Sequence, residues 1–385
     1  MSRLRCLGFP GLILLVVVST IVLEPMLSLE LKTLIYSLSL LVKDLIVFLM
    51  PLIVFGLLFA SVVQLKGAIK LVAILLPLIC FSNFISSWVG YLFGNVLVNN
   101  LDLQLRYSAV DTSIVPIFSL GLKPLVQTKI AMLSAILLAM LSQAFTPKLG
   151  CNIAYYAKLA TAFLLKKVII PLIPALICGF ILKMKHDGIL YALMKSYALI
   201  FLSIGMLQFS YIFLMYLIGS GFSLSGALCN MSRMLPAALT GLSTMSSAAA
   251  LPLSLEASKQ NVHSKDIVDF AMPITVNFHL LGDCIAVPIF ALAVMTSFGA
   301  QTPDLISYLI LSLYFVLAKF SVVAIPGGGI IVMWPILQSV LGFNAEMLSL
   351  IQALYILFDS ILTSMNVLGN GAFVTIYDRI YQRLR

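Results

Sequence analysis

Long apolar runs separated by short polar breaks fill most of the chain. Runs near residues 7–23, 35–65, 71–98, 114–145, 152–182 and 188–218 predict six membrane-spanning helices, since about 20 apolar residues cross a bilayer. Several runs exceed that length, which predicts tilt. The longest polar stretch, Asn99 to Thr112, reads as a loop. Arg3 and Arg5 ahead of the first run resemble the start of a signal peptide, but Val22-Leu23-Glu24-Pro25 offers no small-x-small cleavage site, so the run reads as a retained first span. Lys166 and Lys167 interrupt the fifth run and are expected to snorkel or to face a protein crevice.

After about residue 230 the pattern changes. Residues 232–260 do not read as one helix: two short apolar pieces flank the small-residue tip Ser243-Thr244-Met245-Ser246-Ser247-Ala248-Ala249-Ala250, and Pro252 follows. The run from Ile267 to Ser297 is expected to break at Pro273 and carries Thr275, Asn277, His279 and Asp283. Inside the run 305–341, Val322-Val323-Ala324-Ile325-Pro326-Gly327-Gly328-Gly329 is a poor helix former, because Pro removes a backbone donor and glycines weaken the helix. Backbone freed at membrane depth survives only where protein or a water-filled cavity satisfies it. Two interrupted segments, each followed by a polar-dotted helix, point to a transporter site.

The last apolar run, Ala345 to Tyr377, carries Asp359, Thr363, Asn366 and Asn370 at i, i+4, i+7 and i+11, with Leu362 on the same face. A carboxylate at the centre of a spanning helix costs about 2.5–3.5 kcal/mol on insertion scales, so this face is expected to line a binding site rather than meet lipid. A helix–helix hydrogen-bond seam is the plainer alternative.

Composition agrees: 62% of the 385 residues are hydrophobic and 10% charged, and the mean hydropathy is +1.12, which excludes an ordinary soluble domain. The net charge of +9 forms no basic patch interleaved with aromatics, so no nucleic-acid partner is expected. Arg3 and Arg5 at one end, and Arg379, Arg383 and Arg385 at the other, predict that both termini are cytoplasmic; Lys66 and Lys70 agree, while Lys183 and Lys185 run against the trend. The cysteines Cys6, Cys80, Cys151, Cys178, Cys229 and Cys284 are scattered singly, without disulfide or metal-ligand spacing. His186 and His263 fall in connecting stretches and are expected to be solvated.

Four segments carry a resemblance to the dicarboxylate/amino acid:cation symporter family, which includes the glutamate transporters. Met245-Ser246-Ser247-Ala248-Ala249-Ala250-Leu251-Pro252 resembles that family's first hairpin tip, and Ala324-Ile325-Pro326-Gly327-Gly328-Gly329 its second. Ser364-Met365-Asn366-Val367-Leu368-Gly369-Asn370 resembles the signature of its last helix, and Phe48-Leu49-Met50-Pro51-Leu52-Ile53-Val54-Phe55 fits its second. The match runs in register over about 230–378. It implies an all-α integral membrane protein with eight spanning helices, two re-entrant helical hairpins, inverted repeats, an elevator mechanism and a homotrimer. It also implies a multi-pass plasma (inner) membrane location, with residues 1–230 supplying six helices and residues 231–385 the core transport region. By position, Ser246, Ser247 and Asn366 are expected to hold a substrate carboxylate, and Asp359 and Thr363 its amino group. Ile325, Pro326, Gly327, Gly328 and Gly329 are expected to form a gate.

The departures from the family sit at the chemistry. Leu362 stands where acidic-substrate members carry an arginine, so a second buried carboxylate would lie unpaired. Asp283 replaces a substrate-contacting threonine and adds repulsion for an acidic ligand. The family's Asn-Met-Asp-Gly-Thr motif reads His279-Leu280-Leu281-Gly282-Asp283, the aspartate of the last helix is Asn370, and two hairpin residues with side-chain oxygens are Lys319 and Val322. Sodium thereby loses oxygens and meets an ammonium. The reading is a small-molecule substrate that is a neutral or cationic amino acid or related solute, no enzymatic cofactor, and a coupling ion that is H+ rather than Na+. Two explanations stay open: Lys319 is a fixed cation while His279 and Asp283 titrate as i, i+4 neighbours, or the site holds structural ion pairs and transport is uncoupled. A sodium-coupled dicarboxylate symporter is the alternative. An intramembrane aspartyl protease fits poorly, because Leu281-Gly282-Asp283 precedes Phe358-Asp359, the reverse of that family's order. A passive anion channel is the remaining class.

Overall fold

The computed structural model describes residues 8–64, 69–101, 103, 114–118, 122, 125–187, 190–322 and 328–384, with some side chains inside those ranges left undescribed. The described residues are helical throughout their ordered elements. The order is α1 (Gly8–Leu23), α2 (Leu29–Gln64), α3 (Ile69–Asn99), α4 (Thr128–Phe145), α5 (Pro147–Phe163), α6 (Ile170–His186), α7 (Leu190–Gly219), α8 (Leu224–Thr244), α9 (Ser247–Asn261), α10 (Lys265–Phe278), α11 (Leu281–Ser297), α12 (Leu305–Lys319), α13 (Gly328–Leu341) and α14 (Ala345–Leu384). Among the described residues, six stretches are long and apolar enough to cross a membrane: Leu29–Ala60, Ile74–Asn99, Pro147–His186, Tyr197–Gly219, Lys265–Ser297 and Ala345–Arg383. Four shorter apolar helices accompany them.

The apolar runs fall on helices, with one shortened: residues 114–118 and 125–127 are not helical, and α4 starts at Thr128. The fifth run is continuous through a π-helical turn, Leu164–Ile169, which joins α5 to α6. Pro171, the second residue of α6, has no N–H for the helical ladder, and a widened turn is the ordinary accommodation of such a loss. Lys166 and Lys167 lie in that turn, and the Lys167 side chain is exposed.

Helices α4, α5 and α6 pack on α2, with α4 also against α5 and α1 against α6. The rest pack around α14, which touches α7, α8, α9, α10, α11 and α13, while α11 lies along α3. Three phenylalanines fix α7, α11 and α14 together. Phe201 stacks on Phe358 at 5.0 Å between centroids, and Phe290 stands edge-on to both at 5.7 and 5.9 Å. Tyr91 stacks on Tyr308 at 3.8 Å and donates to the Pro303 carbonyl, tying α3 to α12. At the far end of α14, Asp378 accepts from the backbone N–H groups of His263 and Ser264 and anchors the start of α10.

The long run after residue 265 breaks later than the sequence predicts. Pro273 sits inside α10, and the chain leaves helical geometry at His279 (φ −96°, ψ 91°) and Leu280 (φ −111°, ψ 63°). Side chains from other helices decide the place. Asn83 Nδ2 of α3 donates to the Phe278 carbonyl at 2.8 Å, Gln208 Nε2 of α7 donates to the Gly282 carbonyl at 2.8 Å, and Asn366 Oδ1 of α14 accepts from the Gly282 N–H at 2.7 Å. Breaking a helix in a dry interior is tolerable only where such partners stand ready.

His186 is not freely solvated. Its Nδ1 lies 3.3 Å from both Glu24 Oε1 and Lys32 Nζ, and Glu24 and Lys32 are themselves paired. His263 is exposed, as its position in a connecting stretch predicts.

Candidate functional site

Two interrupted elements and the polar face of α14 converge on one cavity. Its walls include Ser247 and Ala248 at the start of α9, Asn277 and Leu280 at the α10–α11 break, and Asp283 on α11. Val322 and Gly329 close it from the α12–α13 side, and Tyr355, Asp359, Thr363 and Asn366 of α14 form its floor. The i, i+4, i+7 line of the last helix thus faces a cavity rather than a helix seam.

The first turn is built by two local devices. Met245 adopts a left-handed conformation (φ 48°, ψ 36°) that ends α8, and Ser246 caps α9 by accepting from the Ala249 N–H at 3.3 Å. The N-terminus of α9 therefore opens on the cavity through Ser247 and Ala248, a position suited to a carboxylate because the first helical N–H groups lack intrahelical acceptors. Ser247 lines the cavity. Ser246, whose hydroxyl is engaged in the cap, is not part of the lining.

Asp283 has three side-chain partners among the described residues. Its Oδ2 accepts from Lys319 Nζ at 3.0 Å and from the Tyr355 hydroxyl at 3.0 Å, and its Oδ1 from Asn366 Nδ2 at 3.3 Å. Lys319 is fully buried, and its ammonium stands 4.4 Å over the Phe315 ring, one helical turn earlier. Asp283 thus enters the cavity wall already paired with a cation.

His279 does not pair with Asp283. The unwinding at His279 and Leu280 destroys the i, i+4 relation. Its ring instead bridges Ser82 of α3 (Nε2 to Oγ, 2.9 Å) and Asn370 of α14 (Nδ1 to Oδ1, 2.9 Å), and lies 4.4 Å from the Phe373 ring. Those partners suit a neutral imidazole that donates from Nδ1 and accepts at Nε2. His279 and Asn370 are thereby brought together beneath the cavity, outside its lining.

Leu362 also lies outside the lining. It is fully buried in the apolar core, and its carbonyl faces Gly282, where an added Cβ would come to 2.8 Å of that oxygen. Leu281 is buried and packs on Gly369. Gly328 and Gly329 begin α13, and Gly329 reaches the cavity, whereas Ile325, Pro326 and Gly327 lie outside the described residues.

Sequence reasoning missed Tyr355, Gln208, Ser82 and Asn83. Tyr355 falls one turn before Asp359 on the same helical face, so the spacing that found the polar line would have found it. Gln208 carried a signal too, being a lone amide in an apolar run.

The sequence profile of the Sodium:dicarboxylate symporter family matches residues 11–380. No curated protein matches the chain.

Proposed function

Because the chain belongs to the sodium:dicarboxylate symporter family, a family of membrane transporters, we propose that it is a secondary active symporter of a neutral or cationic amino acid or related small solute, coupled to protons rather than sodium. One observation carries this reading: the Asp283 carboxylate that faces the cavity is already held by the buried Lys319 ammonium.

In this reading the substrate carboxylate sits against Ser247 and the start of α9, assisted by Asn366, and Asp359 receives the ammonium with Thr363 beside it. Among the described residues lining the cavity there is no Arg, Lys or His, so a second substrate carboxylate meets no cation there. Dicarboxylates are therefore disfavoured. Sodium meets an apolar Leu281, an amide at Asn370 and the Lys319 charge, whereas Na+ needs a dense shell of oxygens. Asp283, with Lys319 and Tyr355 both on one carboxylate oxygen, is the group this reading assigns to coupling. His279 holds α3, the α10–α11 break and α14 together and has no carboxylate partner for that task among its hydrogen bonds.

The same reading brings eight spans, with α8–α9 and α12–α13 as re-entrant hairpins, an elevator movement, a homotrimer, cytoplasmic termini and a plasma-membrane location. It is tested by thermal shifts of the purified protein against the common amino acids, with and without sodium and at two pH values. A neutral or basic amino acid is expected to raise the melting temperature without sodium. Stabilisation by aspartate or glutamate only when sodium is present overturns it.

A further inference from the structure

The Lys319–Asp283 pair joins three elements through one oxygen. Lys319 is the last residue of α12, Gly329 is the second residue of α13, and Asp283 stands in the first turn of α11. Lys319 Nζ and the Tyr355 hydroxyl each lie 3.0 Å from Asp283 Oδ2. On the other side Gly329 presses bare backbone against the same group: an added Cβ would lie 2.6 Å from Asp283 Oδ2 and would strike the Tyr355 hydroxyl. Both arms, α12 and α13, thus reach a single carboxylate oxygen. Next to it Phe320 stacks on Phe278 at 4.9 Å, so the end of α12 rests on the α10–α11 break through one apolar contact and one ionic one.

We propose that Lys319 is a tethered cation that latches α12, and with it α13, onto α11 through the Asp283 carboxylate. Three features carry this. The ammonium is completely buried, and its described partners are a carboxylate on another element and its own helix's Phe315 ring. While Asp283 and Tyr355 keep this arrangement, only a glycine fits at position 329, so the start of α13 lies against the same carboxylate. Ser321, two residues beyond Lys319, is also buried, so the end of α12 is covered while the latch holds.

The latch rests on the transporter reading for its purpose, but its test does not require transport. Ser321 is replaced by cysteine, a nearly isosteric reporter, with the other cysteines replaced, and its modification by a charged methanethiosulfonate reagent is timed on purified, monodisperse protein. With Lys319 intact the rate is expected to be low and indifferent to exchanging sodium for choline. Lys319→Ala is expected to raise it at least tenfold, ethylammonium to restore protection in that variant, and Tyr355→Phe to raise it by roughly threefold. Should Lys319→Ala prove too unstable to purify, Tyr355→Phe and the sodium exchange decide the matter. An unchanged rate in Lys319→Ala, no effect of ethylammonium, no effect of Tyr355→Phe, or protection by sodium with Lys319 in place would each overturn the latch. Absence of transport with the latch intact would count against the functional reading alone.

Discussion

Asp283 turns its carboxylate to Lys319, 36 positions along the chain and 3.0 Å away, and not to His279, four positions away. The nearer pairing required a helix that the protein unwinds. Removing either partner of a buried ion pair strands the other, at about 3–5 kcal/mol, whereas removing both leaves an apolar gap. Asp283→Asn and Lys319→Met are each expected to lower the melting temperature sharply. The double variant is expected to recover much of the loss, as measured by a double-mutant cycle of thermal unfolding in one detergent.

Gly282 lies at a close approach of α11 to α14, where an added Cβ would come 2.8 Å from the Leu362 carbonyl and 3.1 Å from Asn366 Oδ1. Backbone cannot yield there as a flexible side chain would. Gly282→Ala is expected to cost about 1–3 kcal/mol by overpacking and to displace Asn366, read as a lower unfolding temperature together with weaker substrate binding.

The adjacent serines of the first tip should separate. Ser246→Ala removes a helix cap and is expected to cost about 1 kcal/mol of stability while leaving substrate affinity nearly unchanged. Ser247→Ala is expected to do the reverse. Melting temperature and substrate titration, measured on both variants, check the pair.

Asp304 caps α12 outside the apolar segment, and hydrogen bonds from the Ser307 side chain and backbone N–H hold its carboxyl below the ordinary range. A depressed value means that the charged cap helps above the unfolded-state value, about 4, and is lost as pH falls through the lower folded value. Hydrogen exchange of the Ser307 amide is expected to quicken in that acidic window, and Asp304→Asn to abolish the pH dependence.

The helices of this fold were legible because apolar runs of spanning length admit few other structures, and the tip at Met245–Ser246 was legible because small and capping residues cluster there. The last helix was legible for a related reason: Asp359, Thr363 and Asn366 recur at helical spacing in a segment where polarity is costly. The break at His279–Leu280 was not. Pro273 was the stronger local signal, yet Asn83, Gln208 and Asn366, all distant in sequence, supply the hydrogen bonds that fix where the helix opens. Leu362 misled for the same reason. Its place on the polar face was read correctly, but the close approach of α11 at Gly282 seals it into the core. Local pattern chooses the elements, and contacts between elements choose which side chains reach the cavity.

The most direct measurement is uptake of a stabilising amino acid into proteoliposomes prepared entirely without sodium, with a pH-sensitive dye inside. Substrate entry accompanied by acidification of the lumen, unaltered when sodium is added, is the predicted result. Uptake that begins only with an inward sodium gradient and leaves the internal pH unmoved would contradict the account.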